Sequence, residues 1–355
     1  MSEVPKKKAV KDFFKYKLQS QLWKIVKEVN DKAEDDPDAA LAAMTVGISN
    51  LRPNKRINSF VDEAQDRVDQ YKEDRDKPLE GIIPPFPTWE KNIRVFENGT
   101  FHAIIGVSSS GKSWCAIQTA LHAAFTQDKK VLLVSMENTT KSMQARMDAL
   151  YHKLPFGYLK SMQLDARAVN RWDEAVWDVE QKKSDIWTVG ATEVRSIHDI
   201  YQIATVKQPD LVIVDGAYKL ASTDWNESSK LIVDFHNSAA YSNIPWIALV
   251  QLAPNANKLK GREAGMSARG NKSWFQAPET VLTITQSDDD RMMNRIRCEN
   301  VKHRDGADKS GIDPEFYLEF NMNTMILKES RGYKDEEILN AVSYTHLTLP
   351  TIYSV

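Results

Sequence analysis

Residues 104–117, IIGVSSSGKSWCAI, contain the pattern G-x-x-x-x-G-K-S/T, from which the expected fold of this chain follows. Gly106 and Gly111 let the backbone wrap closely enough for its N–H groups to point at phosphate oxygens. Lys112 then supplies a cation for the β- and γ-phosphates, and Ser113 supplies a hydroxyl for Mg²⁺. A helix that begins there presents its positive dipole end to the same anion. The pattern therefore predicts an ATP- and Mg²⁺-binding phosphate loop made of Gly106, Val107, Ser108, Ser109, Ser110, Gly111, Lys112 and Ser113.

Apolar runs on both sides of this loop predict the fold class. TFHAIIGV leads into the loop as a buried strand, and SWCAIQTALHAAF follows it as an amphipathic helix. Further predicted strands and helices follow as KVLLVSM, NTTKSMQARMDALYHKL, VRSIHDIYQIATV, PDLVIVDG and IPWIALVQL. This alternation implies an α/β fold, a mostly parallel sheet covered by helices on both faces. The later runs are predicted edge strands with an antiparallel tendency: TVLTITQS, RIRCENVKHRDG and FYLEFNMNTMIL.

The chain before this region is predicted to be organised separately. Residues 1–58 are interpreted as a small helical, lysine-rich segment, either a small bundle or a docking arm. Residues 59–80 combine a charged helix with a Pro-rich linker that cannot continue it. The helix has a narrow apolar stripe that suits docking on another subunit, made of Phe60, Ala64, Val68 and Tyr71. The α/β domain is assigned to residues 81–341.

The end of the chain differs in composition from everything before it. Residues 342–355 read VSYTHLTLPTIYSV. The run Val-Ser-Tyr-Thr-His-Leu can be encoded by a transposon-end adapter used in sequencing libraries, so we interpret this tail as non-native. That interpretation leaves room for the natural chain to continue beyond Ala341.

Composition narrows the class of protein. The chain has 355 residues, of which 42% are hydrophobic and 27% charged, which is typical of a globular protein. Its net charge of −2 gives no global positive field, so any nucleic-acid contact must come from a local cluster. Cys115 and Cys298 form no C-x-x-C pair, which argues against a zinc site or disulfide framework and favours the cytoplasm. With no signal peptide and no apolar run of about 18 residues, we expect no membrane contact.

Two carboxylates at predicted strand ends are candidates for the chemistry. A phosphate loop needs a carboxylate to position its metal ion, and Asp215 ends the strand PDLVIVDG. Glu137 follows the strand KVLLVSM, which we expect beside the loop strand, and can activate the attacking water. The alternative for each is a solvated residue that merely ends a strand.

The order of these motifs resembles the RecA-like motor domain of DnaB-type hexameric replicative helicases, superfamily 4. The resemblance extends from about residue 80 to 328 and rests on GVSSSGKS, LLVSMEN, TEVRSIHDI with PDLVIVDG, IPWIALVQL and KHRDG. It implies a phage-type motor in the cytoplasm of a bacterial host. Such a motor forms a homo-oligomeric ring, hydrolyses ATP between subunits, and moves on single-stranded DNA to unwind the duplex.

The resemblance also implies roles for single residues. Glu137 matches the catalytic glutamate, and Gln251 matches a glutamine that senses the γ-phosphate and signals to the DNA loops. Lys302 and Arg304 match a pair that reaches the nucleotide of the neighbouring subunit, where an arginine stabilises charge on the transferring phosphoryl group. Without the resemblance, this pair would equally be an exposed basic strand end.

A long basic stretch follows the IPWIALVQL strand. In the family this region faces the ring channel and binds single-stranded DNA, and Arg269 falls at the place of a DNA-contacting arginine, with Lys272 nearby. The other candidate phosphate contacts are Lys258, Lys260 and Arg262. The alternative is a solvated surface loop, and Trp274 is expected to be packed rather than stacked on a base.

Two departures from the family pattern stand out. The large N-terminal collar is missing or replaced by residues 1–58, which leaves contacts with a primase or loader open. Asp215 is followed by Gly-Ala-Tyr in place of the usual Asp-Tyr-Leu-Gln run. The helix within 59–75 matches the position of the family's linker helix, which docks on an adjacent motor domain. Two other functions remain open: a RecA-like recombinase, and a nucleotide-gated loader or accessory that binds single-stranded DNA with little unwinding.

Overall fold

The structure is a computed structural model. It describes residues 22–33, 36, 40, 44, 60–61, 64–75, 77, 80–221, 225–253, 259, 261–269, 271–304 and 314–330. The chain divides into two units, Met1–Pro78 and Leu79–Val355. Most of the predicted segment 1–58 and the whole tail 342–355 lie outside the described residues. No helix of the described part has the length and apolar character needed to cross a bilayer.

Among its described residues, the first unit has the helices α1 (22–33) and α2 (Ala64–Asp74), and Ala40 and Met44 are also helical. None of the α2 residues is buried, and Val68 and Tyr71 are 47% and 68% exposed. The stripe predicted on this helix is therefore solvent-exposed, together with Phe60 just before it.

The second unit contains ten helices and eleven strands among its described residues. The helices are α3 (Pro87–Ile93), α4 (Lys112–Gln127), α5 (Thr140–His152), α6 (Phe156–Lys160), α7 (Ala166–Glu180), α8 (Ile197–Lys207), α9 (Trp225–Ser242), α10 (Gly261–Met266), α11 (Ser273–Gln276) and α12 (Asp288–Met292). The strands are β1 (Gly81–Ile82), β2 (Phe96–Glu97), β3 (Phe101–Gly106), β4 (Val131–Ser135), β5 (Ile186–Gly190), β6 (Leu211–Asp215), β7 (Trp246–Gln251), β8 (Thr280–Thr285), β9 (Arg295–His303), β10 (Glu315–Asn321) and β11 (Ile326–Ser330).

Nine of these strands form one sheet in the order β11-β10-β9-β8-β3-β7-β6-β4-β5, and β1 pairs with β2 separately. The strands from β8 to β5 are parallel, and β9, β10 and β11 are added antiparallel. The register pairs Gly106 with Gln251 and Ser135 with Asp215, so the carboxyl ends of four strands open at one edge. In open parallel sheets, ligands bind at that edge.

The strand positions alternate between two hydrophobic cores because successive side chains point to opposite faces of a sheet. Ile104, Leu133 and Ile213 pack on the face covered by α3 to α6. On the other face, α8 and α9 cover a core that includes Ile105 and Val134. The prediction of a mostly parallel sheet with helices on both faces agrees with this arrangement.

The strands differ from the prediction in four ways. β4 is not beside β3, because β7 and β6 lie between them. β8 is not an edge strand, since it pairs parallel with β3 and antiparallel with β9, and FYLEFNMNTMIL contains the β10–β11 hairpin. β5 was missed, because its sequence IWTVG is short and only its last residue is buried. Consecutive strands are neighbours in roughly two-thirds of cases, so chain order alone does not determine the pairing, and β3 and β4 are an exception.

An aromatic cluster anchors α9 to the sheet. The fully buried Phe235 ring has its centroid 5.4 Å from Phe101, 6.0 Å from Trp246 and 5.6 Å from Trp274. Trp274 is fully buried, as predicted, and so is not available for a base. This cluster therefore holds α9 in place against the sheet.

We expect Phe235→Ala to lower the free energy of unfolding by about 3–5 kcal/mol, because it leaves a cavity among three aromatic rings. Val233 lies on the same helix and is 56% exposed, so Val233→Ala should change stability by less than about 0.5 kcal/mol. Urea unfolding followed by circular dichroism measures both. Equal midpoints for the two variants would contradict this account of the core.

Candidate functional site

The phosphate loop connects the end of β3 to the start of α4. Ser109 and Gly111 have left-handed backbone conformations, with φ of 61° and 95°. A Cβ atom on Gly106 would lie 2.4 Å from the carbonyl oxygen of Ile284, and one on Gly111 would lie 2.5 Å from Cδ1 of Ile296. Gly106 is therefore required by close packing against the backbone of β8, and Gly111 is required by its φ.

Lys112 is held at the mouth of this loop. Its Nζ donates to the carbonyl oxygens of Gly106 at 2.9 Å and Val107 at 2.5 Å. Burial lowers the pKa of Lys112, and the nearby Asp215 and Glu137 carboxylates oppose that effect. A partly buried cation with only neutral carbonyls as acceptors is well placed to bind an incoming anion.

Ser113 and Asp215 form the centre of the site. The Ser113 hydroxyl donates to Oδ2 of Asp215 at 2.8 Å, and Nδ2 of Asn138 lies 3.4 Å from the same oxygen. Burial raises the pKa of Asp215, while the bond from Ser113 and the charges of Lys112 and Arg146 act in the opposite direction. The hydroxyl and carboxylate oxygens are ligands that suit Mg²⁺.

The described residues contain no group of three or more His, Cys, Asp or Glu side chains that could hold a metal ion. This is compatible with a magnesium site of the nucleotide-dependent kind, in which one or two protein oxygens act together with phosphate oxygens and water. Ser113 and Asp215 fit that requirement.

Glu137 reaches the same site from the end of β4, although β4 is three strands away from β3. Its side chain is 33% exposed, and Nζ of Lys219 lies 4.0 Å from its Oε1 atom. Gly216 permits this approach, because it has a φ of 78° and a Cβ there would lie 2.6 Å from Cγ of Glu137. Gly216, the first residue of the run Gly-Ala-Tyr that departs from the family pattern, thus leaves space for the Glu137 side chain.

Gln251 lies at the end of β7, between Tyr218 and Arg269. The Tyr218 hydroxyl is 2.6 Å from Oε1 of Glu137 and 2.9 Å from Oε1 of Gln251. Nη1 of Arg269 donates to the same Gln251 oxygen at 3.1 Å, and its guanidinium lies 5.4 Å from the centre of the Tyr218 ring. These contacts connect Glu137 to the basic loop through two side chains.

Sequence reasoning missed Tyr218 as a site residue. It belongs to a short 3₁₀ helix, Ala217–Leu220, directly after β6. Its only signal was a departure from the family pattern: in this chain the tyrosine is the third residue after Asp215. Burial and the neighbouring Glu137 raise the pKa of Tyr218, so its hydroxyl stays protonated.

Arg146 was missed as well. Its guanidinium lies 5.2 Å from the Trp114 ring centre and 5.5 Å from that of Phe156, with Nη2 3.4 Å from Oδ1 of Asn138. Burial lowers the pKa of Arg146, and Asp215 opposes the shift. Arg146 therefore adds a second cation near the loop, which helical periodicity alone cannot place.

A cavity of about 380 Å³ extends from the loop away from β7. On the phosphate side it is lined by loop residues, Glu137, Arg146 and Gln251. On the far side it is lined by Gln286, Arg291, Asn294, Ile296, Phe320 and Met322. One side thus offers cations and N–H groups, and the other offers apolar and amide groups together with the Arg291 guanidinium.

Lys302 and Arg304 do not line this cavity. Nζ of Lys302 donates to the carbonyl oxygens of Gln276 and Pro278, and Nη2 of Arg304 donates to that of Ala277 at 2.8 Å. Burial and the adjacent Arg304 lower the pKa of Lys302 to about 8. The structure therefore separates this pair from the other candidate residues of the same chain.

The basic loop after β7 is described in part. Lys258 and Lys260 lie outside the described residues, whereas Arg262, Arg269 and Lys272 are exposed. A bridge between Leu252 and Ala268 and a bond from the Arg269 amide to the Gln251 carbonyl at 2.7 Å hold the end of the loop beside β7. Asn271 is buried and donates to Ser229 of α9. Arg262 also lies over the Phe275 ring.

Comparisons with known proteins agree with this geometry. The family model described as DnaB-like helicase C terminal domain matches residues 81–311. A solved structure described as an ATPase domain is similar, with a TM-score of 0.63 and 18% identity, covering 77% of this chain and 99% of that one. A DnaB-like replicative helicase, solved in a study of its interactions with primase, matches at a TM-score of 0.63 and 17% identity, covering 89% and 78% of the two chains.

A more distant structural match is a KaiC-like protein, PH0186, from the hyperthermophilic archaeon Pyrococcus horikoshii OT3. Its TM-score is 0.50 at 14% identity, and the match covers 72% of this chain and all of that one. No curated protein sequence matches the chain. At these identities the structural matches establish the fold, and the predicted RecA-like P-loop core is confirmed.

We expect Gly216→Ala to lower the free energy of unfolding by about 1–3 kcal/mol, because alanine disfavours a positive φ and its Cβ would press on Glu137. Gly157 is the matched control: it lies in α6 with no atom within 4 Å of an added Cβ. Gly157→Ala should stabilise the protein by up to about 1 kcal/mol. Thermal unfolding distinguishes the variants, and a shift of the same sign in both would contradict the steric role of Gly216.

Proposed function

The chain belongs to the family of DnaB-like helicase C-terminal domains, and from that premise we propose that it is an ATP-driven replicative DNA helicase motor. In this proposal it moves on single-stranded DNA, displaces the complementary strand, and hydrolyses ATP between the subunits of a ring. The single observation that carries the proposal is the convergence of Lys112, Ser113, Asp215 and Glu137 beside the phosphate loop.

The converging residues have complementary tasks in nucleotide binding. The loop N–H groups and Lys112 bind the phosphates, and the far side of the cavity, with Phe320 and Arg291, accommodates the nucleoside. Ser113 and Asp215 would hold Mg²⁺, which neutralises phosphate charge when bound. An anion at the loop gives the Lys112 ammonium a charged acceptor in place of two carbonyls.

Glu137 is proposed to orient and deprotonate the attacking water. Its carboxylate is partly exposed beside the phosphate end of the cavity, which leaves room for a water molecule. A positioned general base contributes about 10²- to 10⁴-fold to a rate. Gln251 lies beside Gly106 in the sheet register and is proposed to contact the γ-phosphate.

Lys302 and Arg304 are proposed to act on the nucleotide of a neighbouring subunit. Both side chains lie at the end of β9, where they contact the turn 276–279 of their own chain. To reach a neighbour, Lys302 exchanges neutral carbonyl acceptors for phosphate oxygens, which are stronger acceptors. Arg304 also gives up an ion pair, because its Nε atom lies 3.6 Å from the Glu279 carboxylate. The exposed apolar residues of α2 are proposed to dock on a neighbouring motor domain.

Exposed basic residues beside Gln251 support single-stranded DNA as the translocation substrate. Arg269 and Lys272 extend from a loop whose ends are held to β7 and α9. Cations on a held loop can follow a phosphate backbone without reading bases. A nucleotide-gated accessory with the same contacts would bind DNA and hydrolyse ATP but would not separate strands.

A fork-unwinding assay tests the proposal against that alternative. Wild type should separate a forked duplex in the presence of ATP and Mg²⁺, Lys112→Ala should bind and hydrolyse little ATP, and Glu137→Gln should bind ATP but turn it over at least about 10²-fold more slowly. If wild type hydrolyses ATP under ring-forming conditions and separates no strands, the helicase function is wrong. Electron microscopy with single-stranded DNA then distinguishes rings from recombinase-type filaments.

Mixing two inactive variants tests catalysis across subunits. Arg304→Ala should lower ATP turnover about 10³-fold or more, and Lys112→Ala should also be inactive. In mixed rings, roughly a quarter of the interfaces combine an intact Lys112 with an intact Arg304, so activity should return to that fraction. Mixing Lys112→Ala with Glu137→Gln is the control, because both defects lie on the same side of the interface. No recovery in the first mixture would contradict a shared site.

A further inference from the structure

Tyr218 occupies a position from which its single hydroxyl proton can reach either of two acceptors. The hydroxyl is 2.6 Å from Oε1 of Glu137 and 2.9 Å from Oε1 of Gln251. One O–H group donates one strong hydrogen bond, so the two oxygens compete for it. The charged, closer Glu137 carboxylate is the better acceptor in this structure.

Arg269 controls how strongly the Gln251 amide oxygen competes for the Tyr218 proton. Its guanidinium contains only donors, so the Gln251 atom that faces it at 3.1 Å must be the amide oxygen. While Arg269 satisfies that oxygen, Gln251 has little need of the Tyr218 proton. If Arg269 leaves, the half-buried amide oxygen lacks its donor, and a hydrogen bond from Tyr218 becomes the nearest replacement.

The backbone keeps these four residues together. The amide of Arg269 donates to the carbonyl of Gln251 at 2.7 Å, so the side chain can leave Gln251 while its backbone stays in place. The Arg269 guanidinium also lies 5.4 Å from the Tyr218 ring centre, which provides a second contact that is lost on departure. The absence of a Cβ on Gly216 leaves the room that Glu137 needs to lie beside Tyr218.

We infer that Tyr218 is a positioning residue that restrains Glu137 while Arg269 is bound to Gln251, and releases it when Arg269 binds a phosphate of single-stranded DNA. The inference rests on the proposed function, in which Glu137 activates water and Arg269 contacts DNA. A carboxylate oxygen that accepts a hydrogen bond from Tyr218 is held in one orientation and is less available to a water molecule. Transfer of the Tyr218 hydrogen bond to Gln251 therefore makes DNA binding activate the base.

Tyr218→Phe tests this device because it keeps the ring and removes only the hydroxyl. Removing a hydrogen bond to the charged acceptor should raise kcat for ATP without DNA about tenfold. With saturating oligothymidylate, kcat should stay within about twofold of wild type, and KM for ATP should not change. The ratio of DNA-stimulated to DNA-free turnover should therefore fall about tenfold. Tyr241→Phe is the matched control, since Tyr241 is 77% exposed on α9, and it should leave the ratio unchanged.

A second variant tests the same mechanism by changing Arg269, the residue that is proposed to contact DNA. Arg269→Gln should raise DNA-free kcat as Tyr218→Phe does, because it removes the cation that satisfies Gln251. The double variant should be no faster than either single variant, since both changes release the same carboxylate. Additive increases would overturn the inference.

The outcomes separate this inference from the proposed function. If wild type hydrolyses ATP equally fast with and without oligothymidylate, the proposed function fails and the inference fails with it. If wild type is stimulated and Tyr218→Phe keeps the full stimulation ratio, only the inference fails. A uniform fall in kcat in both conditions would also overturn it, because a merely structural tyrosine produces that result.

Discussion

The hydrogen bond from Ser113 to Asp215 is the contact on which the site depends. It joins the first turn of α4 to the end of β6 across β7, and it places a hydroxyl and a buried carboxylate 2.8 Å apart beside the phosphate loop. Burial alone would favour the neutral form of Asp215, and the Ser113 hydroxyl together with Lys112 and Arg146 favours the charged form. Removing these partners would leave an isolated carboxylate in the interior, which is costly. Ser113, Lys112 and Arg146 therefore have two roles: they can bind a nucleotide and its metal ion, and they stabilise the charged Asp215 carboxylate.

A second constraint is that the carboxyl ends of the parallel strands meet at one edge. The end of β3 becomes the loop, and β4, β6 and β7 deliver Glu137, Asp215 and Gln251 to the same place, although they are far apart in the chain. Tight contacts at Gly106, Gly111 and Gly216 let backbone and side chains approach closely there. The residues that remain outside the cavity, Lys302 and Arg304, sit on the antiparallel extension of the sheet. This division between a parallel part and an extension is the physical basis for proposing a site shared between subunits.

In the proposed function, a contiguous set of contacts with two arrangements can carry the coupling between nucleotide and DNA. The series Glu137, Tyr218, Gln251 and Arg269 has such contacts, at distances of 2.6, 2.9 and 3.1 Å. Two acceptors that compete for one proton provide the two arrangements, because small movements of Arg269 change which acceptor is preferred. The energy of a hydrophobic contact in the same place would change gradually with distance. Such a contact would therefore distinguish less well between a basic loop with bound DNA and one without.

Three features can be predicted from the amino-acid sequence alone: the phosphate loop, the alternation of strands and helices, and Asp215 at the end of a buried run. These features are local: glycine spacing, hydrophobic period and the length of apolar runs act within a few residues. The order of the strands, and hence the real position of Glu137 relative to β3, came only from the tertiary structure, because strand pairing depends on how distant helices pack on the sheet. Tyr218 and Arg146 have no motif of their own, and their importance comes from side chains brought close in space by long-range packing. The same long-range packing places Lys302 and Arg304 outside the lining of the cavity beside the phosphate loop.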